Sequence, residues 1–122
     1  MLIGVDMVEI NDVRKLIKYE NGLKKIFTEN ELNILKESNQ HLIAKHLAGR
    51  FAVKEAVVKA LGTGFTDGIT FKDIETVNVG SGKPLLYLYG RAKEIAESMD
   101  INDYSVSISY SRQNALAMVV LK

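Results

Sequence analysis

Cysteine is absent from the 122 residues, so no disulfide framework, thiolate zinc site or cysteine nucleophile is available. Histidine occurs only twice, too rarely for a histidine-rich metal site. That leaves carboxylates as protein ligands, and they suit a hard cation. A net charge is nearly absent as well. Sixteen Lys plus Arg stand against fifteen Asp plus Glu, for a formal +1, so neither nucleic acid nor a membrane surface is an expected partner. Any attraction for anions has to be local. No stretch approaches the roughly 20 apolar residues of a membrane span. Met1 leads straight into a strand-like run without the basic n-region of a secretory leader, and the cytoplasm is the expected location. What is present is the composition of an ordinary globular chain: 47% hydrophobic, 25% charged, a single proline and a mean hydropathy of zero. A chain of this length supports one domain over residues 1–122 and not two independent cores.

Leu2 to Val8 reads as a strand, with Ile3, Val5 and Met7 on one face and Leu2, Gly4, Asp6 and Val8 on the other. Asp6 is thus a carboxylate inside an apolar element. Asn11 or Asp12 is positioned to cap a short helix from Val13 to about Glu20, followed by the basic stretch Asn21 to Lys25. Thr28 and Glu31 form a capping box predicted to open a second helix running to about Ser38. A third helix is expected over His41 to Leu61, ending at Gly62-Thr63-Gly64. Beyond it, Ile69 to Val79 and Leu85 to Tyr89 read as a hairpin around Gly80-Ser81-Gly82-Lys83-Pro84, and Arg91 to Met99 as a helix. Tyr104 to Tyr110 alternates strictly, with Tyr104, Val106, Ile108 and Tyr110 against three serines. Ala115 to Leu121 is apolar on both faces, which suits a central or covered strand.

The third helix carries the most information. Its apolar residues leave no wide polar face, so it should be largely buried. Yet it bears Lys45, Arg50, Lys54 and Lys59 against the single anion Glu55. Charges on a buried helix need partners, because desolvating an unpaired one costs about several kcal/mol. At about 100° per residue, Arg50 and Lys54 lie on one stripe, and Glu55 and Lys59 on another about 140° from Arg50. Two readings of the second stripe stand side by side. Glu55 and Lys59 have the i,i+4 order of a helical ion pair. Alternatively, Glu55 joins Asp6 in holding a divalent cation, with Lys59 neutralising phosphate charge. Asp6, for its part, could instead accept backbone N–H groups at the strand end.

These residues also resemble a known family. Ile3-Gly4-Val5-Asp6-Met7-Val8-Glu9-Ile10, the run RFAVKEAVVKALGTG from Arg50 to Gly64, and VSISYSR from Val106 to Arg112 are similar to the holo-acyl-carrier-protein synthases, the small bacterial type of 4′-phosphopantetheinyl transferase. Phe27-Thr28, Glu31-Leu32, Leu47-Ala48-Gly49 and Gly82-Lys83-Pro84 extend the likeness over nearly the whole chain. The resemblance implies an α+β fold in which an antiparallel sheet packs against a long buried helix, assembled as a homotrimer with active sites at subunit interfaces. It implies Mg²⁺-dependent transfer of the 4′-phosphopantetheine of coenzyme A to a serine of apo acyl carrier protein, releasing adenosine 3′,5′-bisphosphate, in support of fatty acid biosynthesis. By position, Asp6 and Glu55 would be the metal ligands and Lys59 would contact the coenzyme A phosphates. Arg50 would lie near the nucleotide phosphates, and the Gly82-Lys83-Pro84 turn near the adenine end. Glu55, directly or through a water on the metal, would take the serine proton.

Two positions depart from the family pattern. Tyr110 stands where histidine is common, at a place associated with the nucleotide. It keeps a ring and a donor but carries no charge near neutral pH. Asp12 stands where some relatives have an arginine that meets the carrier protein, although Arg14, Lys15, Lys18, Lys24 and Lys25 keep that region basic. Tyr110 motivates a competing expectation, a non-catalytic module that binds nucleotide or carrier protein without turnover. A basic helix docking on RNA is a third reading, and the absence of an aromatic platform counts against it.

Overall fold

The computed structural model describes residues 1–122. Strand β1 (Leu2–Glu9) runs directly into helix α1 (Ile10–Arg14), and helix α2 (Glu20–Ile26) leads to a 3₁₀ turn at Glu31–Lys36. Helix α3 (Gln40–Leu61) follows, then a 3₁₀ turn at Phe71–Asp73, strands β2 (Ile74–Val79) and β3 (Lys83–Leu88), helix α4 (Gly90–Ser98), and strands β4 (Tyr104–Tyr110) and β5 (Asn114–Leu121). The strands form two antiparallel sheets, one ordered β1-β5-β4 and a separate hairpin β2-β3. This is an α+β fold built around one long helix.

Helix α3 begins and ends where its sequence signals place it. Asn39 Oδ1 accepts from the backbone N–H groups of His41 and Leu42 at 3.0 and 3.1 Å, satisfying two otherwise free donors. Gly62 closes the helix in the left-handed conformation at φ 77°. Between these caps the helix is buried on nearly every side. Ala52, Val53, Ala56 and Val57 pack with Val119 and Leu121 of β5 and with Ile74 and Leu86 of the hairpin. Nearer its start, Ile43 and Leu47 meet Ile10, Val13, Leu23 and Phe27. Strand β1 approaches so closely that a Cβ on Gly4 would overlap the carbonyl oxygen of Ala56. Glycine is required there for contact, not for a turn.

The alternation seen in the sequence becomes two faces of the three-stranded sheet. Ala115, Ala117, Val119 and Leu121 of the central strand β5 are buried against α3. On the other face, Ile3, Val5 and Met7 of β1 stand opposite Val120, Met118 and Leu116 of β5, which in turn face Ser105, Ser107 and Ser109 of β4. That outer face is apolar and open: Ile3 is 58% exposed, Met7 61% and Met118 46%.

Three local expectations are corrected. The helix predicted from Val13 to Glu20 is instead two short ones. It starts at Ile10 because Ile10 and Val13, three residues apart, are the buried pair. The chain then turns and restarts at Glu20, so that Leu23 and Phe27, four apart, reach the same core. The Thr28–Glu31 capping box forms, with Thr28 N–H donating to Glu31 Oε1 at 3.0 Å and Glu31 N–H to Thr28 Oγ1 at 3.3 Å. It opens only a 3₁₀ turn, in which Glu31 is the one fully buried residue and Leu32, Ile34 and Leu35 pack against the core only in part. The first hairpin strand starts at Ile74 and not at Ile69, because Thr70 and Asp73 close their own capping box around a 3₁₀ turn.

Candidate active site

The close approach of β1 to α3 at Gly4 positions Asp6, two residues further on the same strand face. Its side chain is 16% exposed, and its Oδ1 accepts from Lys59 Nζ at 2.8 Å. Lys59 Nζ also reaches the carbonyl of Val5 at 3.3 Å. Lys59 is therefore turned toward β1, and the i,i+4 ion pair with Glu55 is not among the salt bridges formed. The hydrogen bond and the charge of Asp6 raise the Lys59 ammonium above its ordinary range, so it stays cationic.

Glu55 is left without a salt-bridge partner beside a second carboxylate. Partial burial raises its pKa, and the charge of Asp6 adds to the rise while Lys59 works against it. Both carboxylates line one cleft of about 490 Å³, whose wall includes Val8, Val13, Leu16 and Phe51. Phe51 stacks on Phe71 with ring centroids 5.8 Å apart. Glu9 and Asp12 line the same cleft, so four carboxylates face it. Glu9 was not singled out in the sequence and Asp12 only as a helix cap and a departure from the family pattern, although the three-residue spacing Asp6, Glu9, Asp12 across the strand-to-helix junction was a signal. No three acidic, histidine or cysteine side chains converge tightly enough to cage a metal unaided. A hard cation held by Asp6 and Glu55, with the rest of its coordination from substrate oxygens and water, fits this donor set.

Arg50 lies elsewhere. It is 2% exposed, donates from Nη2 to Asn78 Oδ1 at 2.5 Å, and has no carboxylate partner; its Nε is buried without a hydrogen bond. It lines a second cleft of about 540 Å³ with Asn30, Asn33, His46, Thr76 and Asn78. Burial pulls the Arg50 guanidinium down, with Tyr110 and Glu31 opposing. His46 is held neutral, its pKa lowered to about 4 by burial and then by Arg50. Tyr110 packs over Gly49, where a Cβ would strike its hydroxyl, and Lys45 Nζ sits 4.8 Å from its ring centroid. Burial pushes the Tyr110 hydroxyl up and the neighbouring Arg50 draws it back. Gly82 closes the hairpin tip, Lys83 and Pro84 begin β3 opposite Val79 and Asn78, and none of the three lines either cleft. One chain thus brings Asp6, Glu55 and Lys59 together and, on another side, Arg50 beside Tyr110 and bonded to Asn78, the residue opposite Pro84.

Lys54 is the buried charge whose partner was invisible in the sequence. It is fully buried and paired with Glu31 of the capping box at 2.8 Å.

Comparison with known proteins agrees with this architecture. Residues 2–110 match the model of the 4′-phosphopantetheinyl transferase superfamily, and the chain belongs to that family. Within it, the similarity is to holo-[acyl-carrier-protein] synthases. The one from Alkaliphilus oremlandii is 41% identical over 119 residues, covering 97% of this chain and 95% of the relative. The one from Geobacter sp. (strain M21) is 44% identical over 121 residues, covering 98% and 95%. Among solved structures, the Bacillus anthracis holo-(acyl-carrier-protein) synthase in complex with CoA (3′,5′-ADP) superimposes with a TM-score of 0.80 at 37% identity, covering 98% of this chain and 94% of that one. The Helicobacter pylori enzyme in complex with coenzyme A gives 0.82 at 30%, covering 99% and 100%.

Proposed function

We propose that this chain is a holo-acyl-carrier-protein synthase that transfers the 4′-phosphopantetheine of coenzyme A to a serine of apo acyl carrier protein, in support of fatty acid biosynthesis. Family membership supplies the reaction class. The observation that carries the assignment to this site is Glu55, a carboxylate in no salt bridge beside Asp6 in an open cleft, with Lys59 bonded to Asp6. Asp6 and Glu55 would hold Mg²⁺, which when bound neutralises phosphoryl oxygens. The serine Oγ bonds to the β-phosphorus as the bond to the bridging oxygen breaks, and adenosine 3′,5′-bisphosphate leaves. The serine proton passes to Glu55, directly or through a water. Lys59, held cationic, meets the negative charge that develops on the departing phosphate. Most of the work is alignment and charge neutralisation. Incubating the protein with apo acyl carrier protein, coenzyme A and Mg²⁺ is expected to add one phosphopantetheine mass to the carrier, and chelation of Mg²⁺ by EDTA to stop it. No mass gain with a carrier that other transferases modify would refute the assignment.

Arg50, Tyr110 and the Gly82-Lys83-Pro84 turn belong in this reading to the nucleotide end of coenzyme A, yet Arg50 and Tyr110 face away from the carboxylate cleft. A homotrimer reconciles the two. The outer sheet face offers Ile3, Val5, Met7, Leu116 and Met118 for burial, and Tyr110 borders a small hollow beside Met7 and Leu116. Docking a second copy there would carry Tyr110 and its surroundings toward another copy's cleft. Val5→Asp should therefore give a folded monomer by sedimentation with transfer reduced at least tenfold. A fully active monomer would show that one chain suffices. Arg14, Lys15, Lys18, Lys24 and Lys25 are exposed on α1, α2 and the chain between them, where an acidic carrier protein would meet complementary charge. No helix is long and apolar enough to cross a membrane, and the cytoplasm is the location we assign.

A further inference from the structure

Strands β2 and β3 form a sheet of their own, with no ladder hydrogen bonds to β1, β5 or β4. Backbone pairing therefore does not set the position of this hairpin relative to α3. Three features tie it there: apolar packing of Ile74 and Leu86 on α3, the Arg50–Asn78 hydrogen bond further along β2, and a side-chain cluster at its base. Lys54 Nζ donates to Glu31 Oε1 at 2.8 Å, to the carbonyl of Phe71 at 3.0 Å and to the carbonyl of Ile74, so all three ammonium donors are used. Glu31 Oε2 accepts from Thr76 N–H at 3.0 Å, and Oε1 also from Thr28 N–H at 3.0 Å. Between those two anchor points, Glu75 is 4% exposed and accepts from Thr28 Oγ1, from Asn30 Nδ2 at 3.3 Å and from Tyr89 O–H at 3.0 Å. Three consecutive residues of β2 are thus tied at the strand's start, and α3 is tied to it by the residue next to Glu55.

We infer that the buried Lys54–Glu31 pair is a positioning device that sets the β2-β3 hairpin, and with it the Gly82-Lys83-Pro84 turn, against the helix bearing Glu55. A buried ion pair is a poor device for stability alone, since apolar residues of similar volume often stabilise as well or better. Apolar residues cannot choose among neighbouring placements of a strand, whereas three directed acceptors can. The turn lies about 20 Å up the strand from Ile74 at roughly 3.3 Å per residue. A tilt of about 6° at the base would move the tip by about 2 Å, enough to disturb alignment of a bound substrate. The catalytic consequence rests on the proposed role of the turn at the nucleotide end of coenzyme A.

The test replaces the pair rather than breaking it. Lys54→Met alone leaves Glu31 buried and unpaired and is expected to lower the melting temperature, whereas Glu31→Met with Lys54→Met should recover part of the loss, the Thr76 N–H and the Phe71 and Ile74 carbonyls remaining without their partners. In that double variant the KM for coenzyme A is expected to rise about tenfold, with the KM for carrier protein unchanged and kcat within about twofold, since binding is what a displaced turn removes. Because the chain has no cysteine, nitroxide labels at Gln40→Cys and Ser81→Cys, diluted into unlabelled chain, report the spacing of helix and hairpin without substrate. The distance distribution should be narrow in the parent and broadened or shifted in the double variant. A double variant with the parent's melting temperature and the parent's distance distribution would overturn the inference. A changed distribution with an unchanged KM for coenzyme A would uphold the positioning role and refute the role assigned to the turn.

Discussion

Replacing Glu55 by glutamine is expected to lower transfer by about 10³-fold, the scale of losing one group that stabilises developing charge, while leaving the protein at least as stable as its parent at pH 7. The two outcomes come from the same electrostatics. Glu55 makes no salt bridge, and burial and Asp6 raise its carboxyl. An acid raised in the folded state favours folding below its unfolded pKa, and that contribution is lost as pH rises through the folded value. Ionised Glu55 is therefore a liability to the metal-free fold at neutral pH, and glutamine removes it without changing shape. Melting curves without metal should show the variant equal to or above the parent at pH 7, with the difference closing as pH falls below the ordinary glutamate range. A variant that melts well below the parent at pH 7 would mean that Glu55 holds the fold together. Asp6→Asn differs, because it also gives up the contact with Lys59.

Gly4→Ala is expected to cost about 2–3 kcal/mol of stability, within the range for forcing an extra group into a packed core, and to reduce transfer at least tenfold. The added methyl would land on the carbonyl oxygen of Ala56, with the Ala60 Cβ 3.1 Å away. Neither is the flexible end of a side chain, so β1 must move off α3. Asp6 sits two residues along the same face and moves with it, changing its relation to Glu55 and Lys59. Urea unfolding and the carrier mass assay measure the two effects. A variant within about 0.5 kcal/mol of the parent and fully active would show that β1 is not held by this contact.

Much of this was legible along the chain because it depends on near neighbours. The C-terminal cap of α3 is local, Gly62 at its last turn, and was expected; the Asn39 cap, equally local, was not singled out. The strict alternation of β4 and the two-sided apolar character of β5 reflect the pleat, and both became what they indicated, a half-covered strand and a central one. Asp6, Glu55 and Lys59 stood out because each is a charge in an apolar element. The break between α1 and α2 was not legible, since Leu16 and Ile17 continue the apolar pattern and only the shared core decides where the chain turns.

The sequence by itself determined the fold class, the long helix with its ends, and which charges needed an explanation. Only the tertiary structure decided how those charges are shared out. Lys59 had an i,i+4 partner in Glu55 and a strand partner in Asp6, and it takes the strand. Lys54 lies 23 residues from Glu31, a distance in sequence that no local pattern reports. The physical reason is that helix spacing lists the contacts a side chain is able to make, whereas burial and the approach of β1 and β2 set their relative energies. The absence of cysteine leaves a hard cation as the metal these donors suit; placing two carboxylates in one cleft without matching counter-charge is the work of the fold.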